Sequence, residues 1–346
     1  MSQPAFPGSV SRSDPDLTDR QRQVFAALVM LHRRCASPVG SETLALQSGI
    51  PLSPASIRMA LAELESMGLL ERARASGGRV PTAGGFEFYV RALLEPATLP
   101  ADILAEVNRA LLSSTRDIEH LLNEASRLLS SLTFQLGLAL AAPLDDEQVR
   151  GIELAPLDRR RSLMVLGLGG ASVRTVVLEL ESPLERDQLA MVQSVLRERL
   201  VGRPLSEARA RLASDPDLAR DSAVRLVVRA AMAGWSRPVS TPLFAAGAMH
   251  IAEHPEFASS AQLGSILRVV EAGRPLDRLM MASVEGEVAV RVGVDEDRAL
   301  AGCSLVSYAL PGTVRGAVGV LGPLRMDYAR VFAAVDAVGT RISELL

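Results

Sequence analysis

The sequence predicts an α+β protein in which a small helical domain with a β-hairpin precedes a larger domain of strands and helices. Two observations favour this class. Three capped helical segments and one hairpin fit within residues 17–95. Further along, strand-like runs within 149–181 and 279–321 enclose a mostly helical block at 185–278. We therefore expect a discontinuous second domain that contains an inserted helical module.

The composition excludes several kinds of chemistry and of location. The 346 residues contain no lysine, so all 37 basic residues are arginine, and a Schiff-base lysine or a phosphate-loop lysine is excluded. The two cysteines, Cys35 and Cys303, are too few for a disulfide framework. The sequence shows neither a signal peptide nor an apolar run long enough to span a bilayer. We expect a cytoplasmic protein without a membrane partner.

The basic charge is concentrated near the start of the chain. Residues 17–91 contain nine arginines and six acidic residues, whereas the whole chain has a net charge of −3. A basic segment on an acidic body fits a module that binds a polyanion.

Helix caps divide this basic segment into three helices. Thr18 is placed to cap the first, and Ser41 the second. Ser53 is placed to cap the third, with Pro54 at the first helical position and Gly68 at the end. The first helix presents one apolar face through Val24, Leu28 and Leu31.

A hairpin follows the third helix. A strand-like run at 69–74 leads to a Ser-Gly-Gly tip at 76–78 and a short return to Pro81. Three short helices and then a hairpin are the order of a winged helix-turn-helix. In that fold the third helix enters the DNA major groove, and hydroxyls and arginines at helix starts and at the wing contact phosphates. The alternative is a helical subdomain with a solvated arginine rim. The expected partner is double-stranded DNA, and the candidate DNA-binding residues are Ser41, Thr43, Ser53, Ser56, Arg58, Met59, Arg72, Arg74 and Arg79.

The remaining residues predict a linker, an amphipathic connector and then the discontinuous domain. Residues 1–16 resemble a disordered leader. The helical pattern of 102–140 favours a connector that pairs with a second copy or packs on its own domain. Strands are expected at 149–154, 162–167, 173–181, 279–284, 287–294, 303–309 and 316–321. Helices are expected at 187–199, 205–232, 263–272 and 328–345.

The body shows no constellation typical of an enzyme. His250 and His254 have the i, i+4 spacing of a zinc site, but no acid follows the first histidine and no third ligand is evident. The run Gly167–Gly170 is better explained as a hairpin turn than as a phosphate-binding loop. Cys303 is expected in the core. We predict no catalytic residue, no metal and no cofactor.

Several motifs, in order along the chain, resemble the heat-inducible transcription repressor family, HrcA. In the head these are LTDRQRQV (17–24), SPVGSETL (37–44), SPASIR (53–58), LESMGLL (64–70), SGGRVPT (76–82) and GFEFYV (85–90). Downstream they are LFAAG (243–247), HPEF (254–257), SLV (304–306) with Tyr308, and GAVGVLGPLRMDY (316–328).

The resemblance implies a homodimeric repressor of chaperone operons that binds an inverted-repeat operator, releases it on heating, and is assisted by a GroE-type chaperonin. It also implies the domain limits. A leader at 1–16 and a winged helix at 17–95 precede a connector at 96–145. A GAF-like domain at 146–184 and 279–346 is then interrupted by a dimerisation domain at 185–278.

Two positions depart from the family pattern. Met59 follows Arg58 where the family usually has asparagine, and the wing has Gly77 where the family usually has alanine. Three alternatives therefore remain: a paralogue with a different operator, a regulator whose GAF-like domain senses a ligand, and a helical adaptor that does not bind DNA.

Overall fold

The computed structural model describes residues 15–73, 77–95, 97–114, 118–141, 147–169, 173–235, 243–311 and 316–346. These residues divide into two compact units. The first unit holds the described residues of 1–141, 243–311 and 316–345, and the second holds those of 142–242. Both units combine helices with antiparallel sheet, which confirms the predicted α+β class. No helix among the described residues is both long enough and apolar enough to cross a bilayer.

We call residues 17–95 of the first unit the head. Its elements follow the predicted order of three helices, a hairpin and a further helix. They are α1 (Asp19–Cys35), α2 (Ser41–Gln47), α3 (Pro54–Ser66), β1 (Leu70–Arg72), β2 (Arg79–Pro81) and α4 (Ala83–Phe88), the last continued by a π-helical turn at Tyr89–Leu93.

Local hydrogen bonds explain where these helices begin and end. Thr18 and Gln21 form a reciprocal capping box at the start of α1. Ser53 caps α3 by accepting a hydrogen bond from the Ser56 amide. Gly68 has a φ of +77°, which lets the chain leave α3 for the hairpin. The predicted cap at Ser41 is not formed, since Gly40 occupies the N-cap of α2 and Ser41 is its first residue.

The connector contains two helices and then a strand. The helices are α5 (Ala101–Ser113) and α6 (Ile118–Thr133), and β3 spans Leu136–Ala141. The prediction of helix through residue 140 is therefore corrected. Phe134 adopts a left-handed φ of 55°, and the Ser130 hydroxyl donates to the Gln135 carbonyl, which ends the helix. A Cβ at Gly137 would collide with the Ser126 carbonyl, so glycine lets the strand fold back onto α6.

A five-stranded antiparallel sheet forms the centre of the first unit, in the order β7-β3-β10-β9-β8. Its other strands are β7 (Leu243–Ala246), β8 (Val288–Val292), β9 (Cys303–Leu310) and β10 (Gly316–Pro323). Every residue of β9 and β10 is buried, because helices cover both faces of the sheet. One face packs on α6 and α13 (Tyr328–Leu345), and α5 packs against these two helices, which places the connector against its own domain.

The opposite face of this sheet packs on helices α10 (Ala248–Glu253), α11 (Ser260–Ala272) and α12 (Leu276–Met281). The sequence predicted a strand at 279–284, where the structure has the second half of α12. The reason is that Leu276, Leu279 and Met280 are buried at helical spacing.

The second unit contains a three-stranded sheet in the order β4-β5-β6 and three helices. Its elements are β4 (Val149–Pro156), β5 (Arg161–Leu168), β6 (Val173–Glu179), α7 (Arg186–Leu200), α8 (Leu205–Ser214), a 3-10 turn at Pro216–Ala219 and α9 (Ser222–Trp235). β5 and β6 are antiparallel neighbours, as a hairpin requires, and the predicted turn at Gly170 lies outside the described residues.

The limits of this unit differ from those the resemblance implied. Strands β4–β6 were expected to belong with 279–346, but they share an apolar core with α7, α8 and α9 instead. Residues 243–278 were expected in the inserted part, but Ile251, Phe257 and Ile266 lie in the core under the main sheet. The insertion therefore corresponds to the described residues of 142–242, and β3 is the strand that precedes it.

Candidate nucleic-acid interface

Helix α3 has one buried face and one exposed face. Its buried residues, which lie in the same apolar core as α1, are Ile57, Ala60, Leu61 and Leu64. On the other face Arg58 is exposed and Met59 has 59% of its surface exposed. The helix thus presents one cation and one large apolar side chain outwards, near the N-terminal part that a recognition helix places against base edges.

The hydroxyls predicted to contact DNA differ in their surroundings. Ser53 and Ser56 lie 3.0 Å apart at their Oγ atoms, within the cap of α3. Their first contribution is therefore to fix the start of that helix. Ser41 is half-buried in the first turn of α2, and Thr43 is exposed in the same turn.

The wing is a short hairpin with a third strand-like partner. Arg72 on β1 pairs with Arg79 on β2, and Arg79 also exchanges both backbone hydrogen bonds with Val39 at 2.9 Å. The side chain of Arg72 is exposed beside the wing tip. Arg74, the other predicted wing contact, lies outside the described residues.

The side chain of Arg79 binds inside the protein. Its Nε and Nη2 donate to Oε2 of Glu65 at 2.8 and 2.6 Å, and Nη1 donates to the Gly77 carbonyl at 2.9 Å. Only 12% of the side chain is exposed. In this structure Arg79 joins the wing to α3, which differs from the phosphate contact that the sequence predicted.

Glu63 holds α3 from the other side. Its Oε2 accepts from Gln21 Nε2 at 2.7 Å and lies 3.4 Å from Nη2 of Arg20 on α1. Sequence reasoning missed both Glu63 and Glu65 as positioning residues. The sequence did contain a signal for them, namely two carboxylates on a helix expected to approach DNA. A carboxylate close to phosphates needs a hydrogen-bonding or cationic partner within the protein.

A double-mutant cycle distinguishes the two roles of Arg79. If Arg79 positions the wing, Arg79→Ala and Glu65→Ala each lower operator affinity by a similar factor, and the double variant adds little. Each single variant should also lower the free energy of unfolding by about 1–3 kcal/mol, since a charged hydrogen-bond partner is lost. Fluorescence anisotropy with a labelled duplex and urea unfolding measure these two quantities. A large loss for Arg79→Ala together with unchanged or tighter binding for Glu65→Ala would instead show direct DNA contact.

The head contacts the body through a set of polar groups around Arg325. Arg33 on α1 forms an ion pair of 2.9 Å with Asp327, and Arg325 Nη1 donates to the Arg33 carbonyl at 3.1 Å. Arg325 also forms an ion pair with Glu256. On the apolar side of this contact, the rings of Phe86 and Tyr328 lie 6.4 Å apart. The position of the head is therefore tied to the main sheet.

His254 belongs to this set of contacts and is suited to the neutral state. Its Nε2 lies 2.9 Å from Oε1 of Gln135 and its Nδ1 lies 3.3 Å from Nη2 of Arg325. A neutral ring donates to Gln135 and accepts from Arg325, whereas a second proton on Nδ1 would face a guanidinium. Burial, with a smaller contribution from Arg325, lowers the pKa of His254 despite the opposing charge of Glu256. Burial also lowers the pKa of His32 on α1.

These histidines make stability depend on pH. Because their pKa values are lower in the folded state, the unfolded state binds more protons below about pH 6.5. We expect the free energy of unfolding to decrease as the pH falls from 7 through 6.5 towards the lowered pKa values. His254→Gln should reduce this slope, and the control His120→Gln, at an exposed position of α6, should not. Urea unfolding at several pH values tests this, and an unchanged slope in His254→Gln would contradict it.

No metal site is assembled by the described residues, and the two candidate groups singled out in the sequence are engaged or buried. The described residues contain no group of three or more His, Cys, Asp or Glu side chains placed to hold a metal ion. His254 is engaged by Gln135 and Arg325. Cys303 is buried in the core, as predicted, and burial raises the pKa of its thiol to about 12. A thiol with that pKa stays protonated near neutral pH, so it is a poor nucleophile.

Comparisons with known proteins agree with this geometry. Residues 16–91 match the family model for the "Winged helix-turn-helix transcription repressor, HrcA DNA-binding" domain, and residues 119–332 match that for the "HrcA protein C terminal domain". The chain belongs to the HrcA family. It is thus a winged-helix transcription repressor and not an enzyme.

Relatives extend the HrcA match over nearly the whole chain, and a solved structure shares the fold over a similar length. The heat-inducible transcription repressor HrcA of Nitratidesulfovibrio vulgaris is 35% identical and covers 96% of both chains. That of Moorella thermoacetica is 31% identical and covers 95% of this chain and 98% of its own. A crystal structure of a hypothetical protein has a TM-score of 0.60 at 20% identity, covering 95% of this chain and 98% of that chain, which supports the fold alone.

Proposed function

We propose that the chain acts in the cytoplasm as a homodimer that represses chaperone operons by binding an inverted-repeat operator, and that it releases the operator on heating. The observation that carries this proposal is the exposed face of α3 with Arg58, beside a wing fixed to the same helix through Arg79 and Glu65. The names of the HrcA relatives, heat-inducible transcription repressors, support the release on heating.

The homodimer follows from the shape of an inverted repeat, since a two-fold protein matches a two-fold operator. The outer face of the β4–β6 sheet supports a dimer contact. Val173 and Val177 on β6 are 62% and 51% exposed, and their cross-strand partners Gly167 and Leu163 are half-buried on the same face. Exposed apolar faces of this kind mark protein contacts. We propose that a second copy of the chain covers this face.

Release on heating requires only a marginally stable head. About 5–15 kcal/mol separates the folded and unfolded states of an ordinary domain. For a head near the low end of this range, a moderate rise in temperature lowers the DNA-binding fraction strongly. A GroE-type chaperonin that refolds the chain would raise this fraction, and its occupation by other heat-damaged proteins would lower it. Measuring operator occupancy with and without added chaperonin tests this step. Unchanged occupancy would exclude the chaperonin from the mechanism.

Salt titration tests the DNA-binding proposal against a helical adaptor. The affinity for a duplex taken from the region upstream of a chaperone operon should fall linearly with salt on a double-logarithmic plot, since each neutralised phosphate releases counterions. Preference for that duplex over a scrambled one should persist at every salt concentration. Affinity that does not depend on salt, or no affinity at all, would contradict DNA binding.

A further inference from the structure

The outward face of α3 is unusual in how little it offers for hydrogen bonding. Its exposed residues, spaced so that they lie on one side of the helix, are Ala55, Arg58, Met59, Ala62 and Ser66. The two acids of the helix point elsewhere, since Glu63 binds α1 and Glu65 binds the wing. Arg58 is therefore the only charged residue of α3 that is exposed, and Met59 is the largest exposed apolar one on this face.

The Met59 side chain takes no part in the apolar core of the head. The apolar core of the head is filled by the buried face of the same helix, and Met59, at 59% exposure, lies outside that core. A thioether has no hydrogen-bond donor and only a weak acceptor, so it cannot read the polar groups of a base edge. The one apolar group on the major-groove edge of a base pair is the C5-methyl of thymine.

We propose that Met59 determines operator specificity by packing against a thymine methyl group in each half-site. The short side chains of Ala55 and Ala62, one turn away on either side, leave room for the base edge to approach. Arg58 supplies the adjacent polar contact. This inference rests on the proposed function, because it requires that α3 enter the major groove.

Deoxyuridine substitution tests the proposal, since it removes only the methyl group. The probe is a duplex that the wild-type protein selects from a random pool, with each thymine of a half-site replaced in turn. For at least one thymine, replacement in one half-site should lower wild-type affinity about fourfold, which is the effect expected for one buried methyl group. Replacement in both half-sites should lower it about fifteenfold. Met59→Gln should bind the thymine and deoxyuridine duplexes equally, and Met59→Leu should recover the discrimination.

Met30→Gln is the matched control, because Met30 is 51% exposed on α1 of the same head but lies off the face of α3. Met30→Gln should discriminate between the thymine and deoxyuridine duplexes as the wild type does. If the wild type binds its selected duplex specifically but tolerates deoxyuridine at every position, the inference about Met59 is wrong while the proposed function stands. Equal discrimination by wild type and Met59→Gln would also overturn it. If no duplex is selected at all, both proposals fail.

Discussion

Val177→Glu is expected to convert the proposed dimer into a monomer and to weaken operator binding by about 10²–10⁴-fold. The change places a charge within the exposed apolar patch on the outer face of the β4–β6 sheet, where Val177 of the edge strand β6 lies opposite Leu163. Burying that unpaired carboxylate against a second copy costs more than the contact provides. Two linked heads bind a double site with the advantage of effective concentration, and a single head loses that advantage.

The control for this experiment is Val201→Glu, which introduces the same charge at a valine in the same unit. Val201 is 40% exposed at the C-cap of α7 and is not a residue of the sheet. Sedimentation velocity gives the oligomeric state, and fluorescence anisotropy gives the affinity. A Val177→Glu protein that stays dimeric and binds the operator normally would place the dimer contact on another surface.

Arg58→Ala is expected to lower operator affinity by about 1–3 kcal/mol, or about 5–150-fold, if the guanidinium makes a bidentate contact with a base. Base preference should relax at one position of each half-site. Arg58→Lys should restore much of the attraction to phosphates but not the base preference, because an ammonium group lacks the planar, two-pronged donor arrangement of a guanidinium.

Arg127→Ala is the matched control, because it removes an equal charge from an exposed position of α6 in the connector. Its affinity should remain close to that of the wild type at physiological salt, where charges about 8 Å or more from DNA are screened. Equal affinities of the wild type and Arg58→Ala across several duplexes would show that Arg58 does not contact the operator.

The sequence predicts the head better than it predicts the body, for physical reasons. Caps act within four residues, so Thr18, Ser53 and Gly68 mark the ends of α1 and α3 without knowledge of the rest of the chain. In contrast, β3 is apolar at every position because helices cover the sheet on both sides, and such a run lacks the period that separates strand from helix.

The limits of the insertion were missed for a similar reason. Strands β4–β6 are recognisable from their pattern, but nothing in a single strand specifies which sheet it joins. The ion pairs that orient α3 also depend on distant residues: Glu63 meets Gln21 on α1, and Glu65 meets Arg79 on the wing. The sequence predicted that Arg79 contacts the DNA backbone, whereas its mostly buried position between wing and helix is visible only in the structure.

Selection of bound duplexes from a random pool tests the central claim most directly. The wild-type protein should enrich duplexes that contain two copies of one half-site as an inverted repeat, separated centre to centre by about one helical turn or a multiple of it. Enrichment of a single unrepeated site would contradict the two-fold mode of binding. A pool that remains random after several rounds would contradict sequence-specific DNA binding itself.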